Sequence, residues 1–133
     1  MEITPVSILL VEDFAPFRKL TRSILSERPG WQIVAEVSDG LAAVQQATEL
    51  KPDLILLDIG LPKMNGIEAA RQILQRAPDS RILFVSQESS PDIVQETLRL
   101  GASGYVVKTS VGRDLLPAIE AVLQGRTFVS RKV

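Results

Sequence analysis

The stretch Asp53–Gly66, DLILLDIGLPKMNG, decides how the rest of the chain is arranged. Its four consecutive apolar residues, Leu54 to Leu57, predict a strand buried on both faces, as strands of parallel sheets are. A carboxylate, Asp58, follows directly, and then Gly60, Pro62, Asn65 and Gly66 turn the chain. A buried strand that ends on an acid and turns sharply presents that acid at the edge of the sheet. In open parallel α/β sheets, ligand chemistry gathers at the carboxyl ends of the strands. An isolated aspartate there could simply begin a solvated loop, so its role depends on what the other strand ends bring beside it.

The flanking sequence repeats the pattern. Upstream, VSILLV (Val6–Val11) predicts a first strand ending on Glu12-Asp13. A helix follows, with Asp13 the expected N-cap, Pro16 in its first turn, and Phe14, Phe17, Leu20, Ile24 and Leu25 on one stripe. Pro29-Gly30 stops it, and Gln32–Val37 is a second strand with Ile33, Ala35 and Val37 expected on one face and Val34 on the other. Ser38-Asp39-Gly40 leads into a second helix, Leu41–Leu50. Downstream of the opening stretch, a third helix from Gly66 to Ala77 precedes a fourth strand, Ile82–Val85, which ends on Ser86. Pro91 opens a fourth helix that Gly101 ends, and Gly104–Val107 is a fifth strand ending on Lys108. Ser110 is the expected cap of a fifth helix reaching Gln124, with Pro117 predicting either a late start or a bend. Arg126–Val133 receives no assignment and reads as a short tail, so the chain divides into a domain over 1–125 and a tail over 126–133. Five strands alternating with five helices predict a doubly wound α/β fold with a five-stranded parallel sheet.

Composition narrows the chemistry. The 133 residues form one domain's worth of chain, 45% apolar and 23% charged, with net charge −1, so no basic footprint for nucleic acid is present. No apolar run is long enough to span a bilayer, and no basic-plus-apolar leader follows Met1. Cysteine and histidine are both absent, which excludes thiol catalysis, disulfides, thiolate or imidazole metal sites and an internal phosphohistidine. The lack of cysteine fits a cytoplasmic location. What remains is chemistry by carboxylates, hydroxyls, lysine and a hard metal ion.

If the strand order is the flavodoxin-like 2-1-3-4-5, then Glu12, Asp13, Asp58, Ser86 and Lys108 surround one crevice. Three carboxylates that close repel one another and call for a divalent cation. Magnesium suits such a site, since it takes oxygen ligands and is commonly held by one or two carboxylates plus a phosphate. A lysine and a hydroxyl can bind the remaining phosphoryl oxygens, and a carboxylate beside them can act as nucleophile to give an acyl phosphate. A flavodoxin-like nucleotide or flavin binder would instead need a glycine- or hydroxyl-rich phosphate cradle after strand one, where this chain has Glu12-Asp13.

The motifs LLVED, LLDIGLPKMNGIEAA, LFVS and GASGYVVK, each at its strand end, resemble those of response-regulator receiver domains, the phospho-acceptor partners of sensor histidine kinases in two-component signalling. The resemblance runs from about Val6 to Gln124 and is strongest to receivers of the NarL/FixJ (LuxR) type. It implies that Asp58 is phosphorylated, and that Glu12 and Asp13 hold magnesium with Asp58 and the backbone carbonyl of Gly60. It further implies that Ser86 is the switch hydroxyl, Lys108 its ion-pairing companion at the phosphoryl group, and Tyr105 the aromatic that changes rotamer as Ser86 moves. A phosphorylation-controlled switch that regulates transcription through an output domain is the expected function, with a phosphorylation-independent interaction module as the alternative. The family type usually continues into a helix-turn-helix domain. Here the chain stops at RTFVSRKV, so it is either an excised receiver or a stand-alone regulator, with no nucleic-acid contact of its own expected. Gln87 stands where the family usually has a small residue, which predicts that it covers the phosphoryl site and slows hydrolysis. Thr109 stands where many receivers have proline, so a cis X-Pro bond is excluded there. In the fifth helix, Leu115, Leu116, Ala118, Ile119, Val122 and Leu123 form a broad apolar stripe, which predicts a homodimer or output-domain contact.

Overall fold

The structure is a computed structural model that describes residues 5–131. The elements in chain order are β1 (Val6–Val11), α1 (Ala15–Leu25), β2 (Trp31–Val37), α2 (Gly40–Leu50), β3 (Leu54–Leu57), α3 (Gly66–Arg76), β4 (Arg81–Ser86), α4 (Pro91–Leu100), β5 (Gly104–Val107), α5 (Val111–Leu123) and β6 (Phe128–Val129). Every strand pairing is parallel, and the sheet order is β2-β1-β3-β4-β5-β6. The expected order of the first five strands is therefore present, but the sheet has six strands and not five.

The sixth strand comes from the unassigned tail. Phe128 and Val129 pair with Gly104 and Tyr105 on the open edge of β5. Two residues are too few to show a period, so the pattern that reveals longer strands is blind to this one. Its neighbour holds it in place. The Ser130 amide donates to the Tyr105 carbonyl at 2.9 Å, and Ser130 Oγ donates to Asp114 Oδ2 at 2.9 Å while accepting from the Val107 amide at 3.1 Å.

Alternation along the buried strands divides the core between the two faces of the sheet. Leu9, Val11, Ile55, Leu57, Ile82 and Phe84 pack with α2, α3 and α4, whereas Ile8, Leu10, Leu54, Leu56, Leu83 and Val85 pack with α1 and α5. This is why β3 is apolar at every position and completely buried. On β2 the expected facing is corrected. The β1–β2 register pairs Ile8 with Ile33 but Leu9 with Ala35, leaving Val34 as an extra, exposed residue. That bulge puts Ile33 on the α1/α5 face and Ala35 and Val37 on the opposite one.

Four helix details also differ from the sequence reading. Asp13 does not cap α1: Phe14 occupies the cap position with no side-chain cap bond, and the Phe14 amide donates to Glu12 Oε2 at 3.0 Å. Nor does α1 bury its whole stripe, because Phe14 and Leu20 are exposed while Thr21, one position on, is buried. Ser110, the last residue of a short 3₁₀ turn over Lys108–Ser110, occupies the expected cap position of α5 but makes no side-chain cap bond. Pro117 does not delay α5, which runs unbroken from Val111 to Leu123 with the proline in its interior. The proline is on the exposed side of the helix, so the carbonyl one turn back, which it cannot serve, lies on the face that meets water.

Candidate functional site

Parallel pairing brings the carboxyl ends of β1, β3, β4 and β5 to one edge, and the residues that follow line a single cleft of about 540 Å³. Glu12, Asp13, Asp58, Gly60, Ser86, Gln87 and Lys108 all line it, as the sequence predicts for this edge. Phe14, Phe17, Ile59 and Glu88 complete the lining and are not apparent from the strand-end pattern. Tyr105 lies beside the cleft and not in it, fully buried and stacked on Phe84 with ring centroids 6.1 Å apart.

The loop carrying Asp58 is clamped by close backbone packing. A Cβ on Gly66 would lie 1.9 Å from the Asp58 carbonyl oxygen, and one on Gly40 would lie 1.9 Å from the Met64 carbonyl oxygen. The Gly66 amide donates to the Ile59 carbonyl at 2.7 Å, the Gly40 amide donates to the Pro62 carbonyl at 3.3 Å, and Asn65 caps α3 by accepting from the Glu68 amide at 3.0 Å. The run that looked like generic turn chemistry thus fixes the loop after Asp58 against the N-termini of two helices, with Asp58 itself against Gly66 of α3. Gly60 differs from these two glycines: it is exposed, and no atom lies within 4 Å of where its Cβ would be.

The charges are arranged as a compact, nearly enclosed cluster. Lys108 Nζ lies 2.9 Å from Glu12 Oε1 and 2.9 Å from Asp58 Oδ2, with the Glu12 and Asp58 residues only 2% and 6% exposed. Asp13, by contrast, faces solvent. Burial pushes the Glu12 carboxyl up and the neighbouring Asp58 charge adds to this, against the Lys108 ammonium and the Phe14 amide, which hold it down. Burial presses the Lys108 pKa downward, but the bonds and charges of Glu12 and Asp58 together outweigh it and leave that pKa raised. A further contact that the sequence does not reveal lies beneath this lysine, whose Nζ sits 4.5 Å from the centroid of the Phe17 ring.

Three carboxylates that cannot share one lysine are suited to a cation. Glu12, Asp13 and Asp58 each offer an oxygen, all within 4.8 Å of one another. This all-oxygen donor set, with two carboxylates buried and one open to water, fits magnesium, which keeps some of its own waters. Ser86, 1% exposed, accepts at Oγ from the Glu88 amide at 3.2 Å, while Tyr105 Oη donates to the Glu88 carbonyl at 2.8 Å. The hydroxyl and the aromatic are therefore joined through the backbone of one residue, Glu88, a link no side-chain motif could show.

Residues 8–120 match the family model of the response regulator receiver domain. The chain is 37% identical over 128 residues to the transcriptional regulatory protein DegU of Brevibacillus brevis, covering 96% of this chain and 54% of that protein. To the nitrate/nitrite response regulator protein NarL of Escherichia coli K12 it is 33% identical over 126 residues, covering 95% of this chain and 58% of that one. It thus spans a little over half the length of these curated relatives. Among solved structures, a LuxR-family two-component response regulator from Aurantimonas sp. SI85-9A1 superposes with a TM-score of 0.91 at 37% identity, covering 96% of this chain and 91% of the other. The strand-end cluster and these matches agree, and the chain belongs to the receiver domains of two-component response regulators, which accept a phosphoryl group on an aspartate and control an output.

Proposed function

We propose that Asp58 is the phosphoacceptor and that a sensor histidine kinase is the donor. The observation that carries this reading is the double ion pair of Lys108 with Glu12 and Asp58, in a cleft that Ser86 and Asp13 also line. In the reaction, one carboxylate oxygen of Asp58 attacks the phosphorus of a phosphoimidazole. The new P–O bond forms as the P–N bond breaks, and the electron pair leaves with the imidazole of the donor. Glu12, Asp13 and Asp58, with the Gly60 carbonyl, would hold magnesium, which supplies neutralisation of charge on the transferring group. Lys108 leaves its carboxylate partners to pair with a phosphoryl oxygen, and the Ser86 hydroxyl donates to another. Each of these groups is preorganised by its strand end, so little reordering is needed as charge develops.

Release of Ser86 Oγ from the Glu88 amide gives the switch its readout, since Glu88 also accepts from Tyr105. A rearranged Ser86–Glu88 segment frees the tyrosine hydroxyl and permits the Tyr105 rotamer change. The output is control of transcription, as the name of the relative DegU states for that protein, in the cytoplasm. Among the described residues, no helix is long and apolar enough to cross a membrane. Dimerisation beside α5 would draw on few members of its apolar stripe. Leu115, Ala118, Ile119 and Val122 are fully buried in the monomer core, and only Leu116 and Leu123 keep partial exposure. Sedimentation with and without a phosphoryl mimic tests that contact, and identical monomers in both states would remove it. The phosphoacceptor assignment is tested by incubation with magnesium and a small acyl phosphate, which is expected to modify wild type and not Asp58→Asn.

A further inference from the structure

Lys108 has two kinds of partner, and they respond differently to a cation. Its carboxylate partners, Glu12 and Asp58, belong to the same oxygen cluster that fits a divalent metal ion. An ion that takes up those oxygens weakens both of the ammonium's bonds. The remaining partner is the face of Phe17, 4.5 Å from Nζ to the ring centroid. A hard cation surrounded by carboxylates and water has no use for that ring. Phe17 directly follows the Ala15–Pro16 start of α1, and it is half buried, with the α1/α5 side of the core behind it and the cleft in front. Its position is therefore set by packing that is independent of the charge cluster.

We propose that Phe17 is a positioning residue for phosphoryl transfer: its ring holds the Lys108 ammonium at the cleft while Glu12 and Asp58 are engaged elsewhere. The ring supplies an attraction that is partly desolvated and does not compete for the oxygens the reaction uses. Without it, the ammonium is held only by groups whose engagement by a cation loosens it. The lysine then samples more of its flexible stem's conformations and meets the phosphoryl oxygen less often. This inference rests on Asp58 as phosphoacceptor.

The test compares Phe17→Leu, which keeps apolar bulk, with Phe17→Tyr, which keeps the aromatic face. In the metal-free protein, the Lys108 ε-methylene protons should be shifted upfield by the ring, and Phe17→Leu should abolish that shift while Phe17→Tyr keeps it. At saturating magnesium, the rate of phosphorylation by a small acyl phosphate should fall about fivefold in Phe17→Leu, the size of one modest cation–π contact. Phe17→Tyr should retain the wild-type rate, and magnesium affinity measured calorimetrically should change less than about twofold in either variant. A wild-type rate in Phe17→Leu, equal slowing in both variants, or no ring shift in the wild type would overturn the proposal. If the wild type takes up no phosphoryl group, the Asp58 assignment is what fails. The resonance comparison in the metal-free protein still reports on the Phe17–Lys108 contact by itself.

Discussion

Glycine provides the sharpest contrast at the scale of single residues. Gly60 lies in the loop after β3 and Gly66 at the start of α3 that ends this loop, yet a side chain at Gly66 would collide with the Asp58 carbonyl and one at Gly60 would meet open space. Gly66→Ala is therefore expected to destabilise the fold by on the order of 3 kcal/mol, read as a drop in the urea midpoint, because backbone must move. Gly60→Ala should stay within about 0.5 kcal/mol of wild type and retain magnesium binding, since the proposed ligand is a backbone carbonyl that alanine keeps. A loss of magnesium binding in Gly60→Ala would count against that ligand. Gln87 is exposed at the cleft, where it can screen the phosphoryl group from water. Gln87→Ala should then lose its phosphoryl group faster than wild type in a single-turnover decay, and an unchanged decay would dismiss the screening role.

The last strand shows how an element can be held by very few groups. β6 contributes two ladder residues, and Ser130 beyond it ties the Tyr105 carbonyl, the Val107 amide and the Asp114 carboxylate together. Ser130→Ala leaves the buried Val107 amide and the Asp114 carboxylate without that hydroxyl, at a cost of about 1–3 kcal/mol in denaturant unfolding. Asp114 also gives this element a pH dependence. The Arg113 guanidinium, bonded to it at 2.9 Å, holds its carboxyl below the usual range, with Ser130 assisting against the opposing effect of burial. A carboxyl whose folded pKa is depressed contributes stability above the unfolded pKa and loses it as pH falls through the folded value. The stability difference between wild type and Asp114→Asn should accordingly be level from neutral pH to about pH 5 and shrink below about pH 4. A difference that grows on acidification would contradict the assigned direction. Because β6 pairs with Gly104 and Tyr105, it also lies beside the residue of the proposed rotamer change.

At the scale of the whole molecule, most of the architecture is legible in the sequence because a doubly wound sheet writes itself as apolar runs punctuated by polar strand ends. Val6–Val11 and Leu54–Leu57 are such runs, and the residues that follow them are the ones gathered in the cleft. What the sequence hides has identifiable physical causes. A two-residue strand has no period, and the bulge at Val34 changes which face Ile33 takes without altering the apolar alternation. Asp13 looks like a helix cap because aspartate is favoured at caps, while here it lines the cleft with no cap bond. The Glu88 bridge runs through backbone atoms, and the Phe17–Lys108 contact joins residues far apart in the chain. The α5 stripe overstates exposed apolar surface because one helix packs on β4, β5, β6 and α1 together.

All of these scales meet at Asp58, buried at the end of β3, clamped by Gly66 and paired with Lys108. The most direct measurement is site mapping by mass spectrometry after incubation with magnesium and a small acyl phosphate. One phosphoryl group on Asp58, absent when magnesium is chelated and absent in Asp58→Asn, is the predicted result. Equal modification of wild type and Asp58→Asn, or a phosphoryl group on another residue of the wild type, would contradict the account.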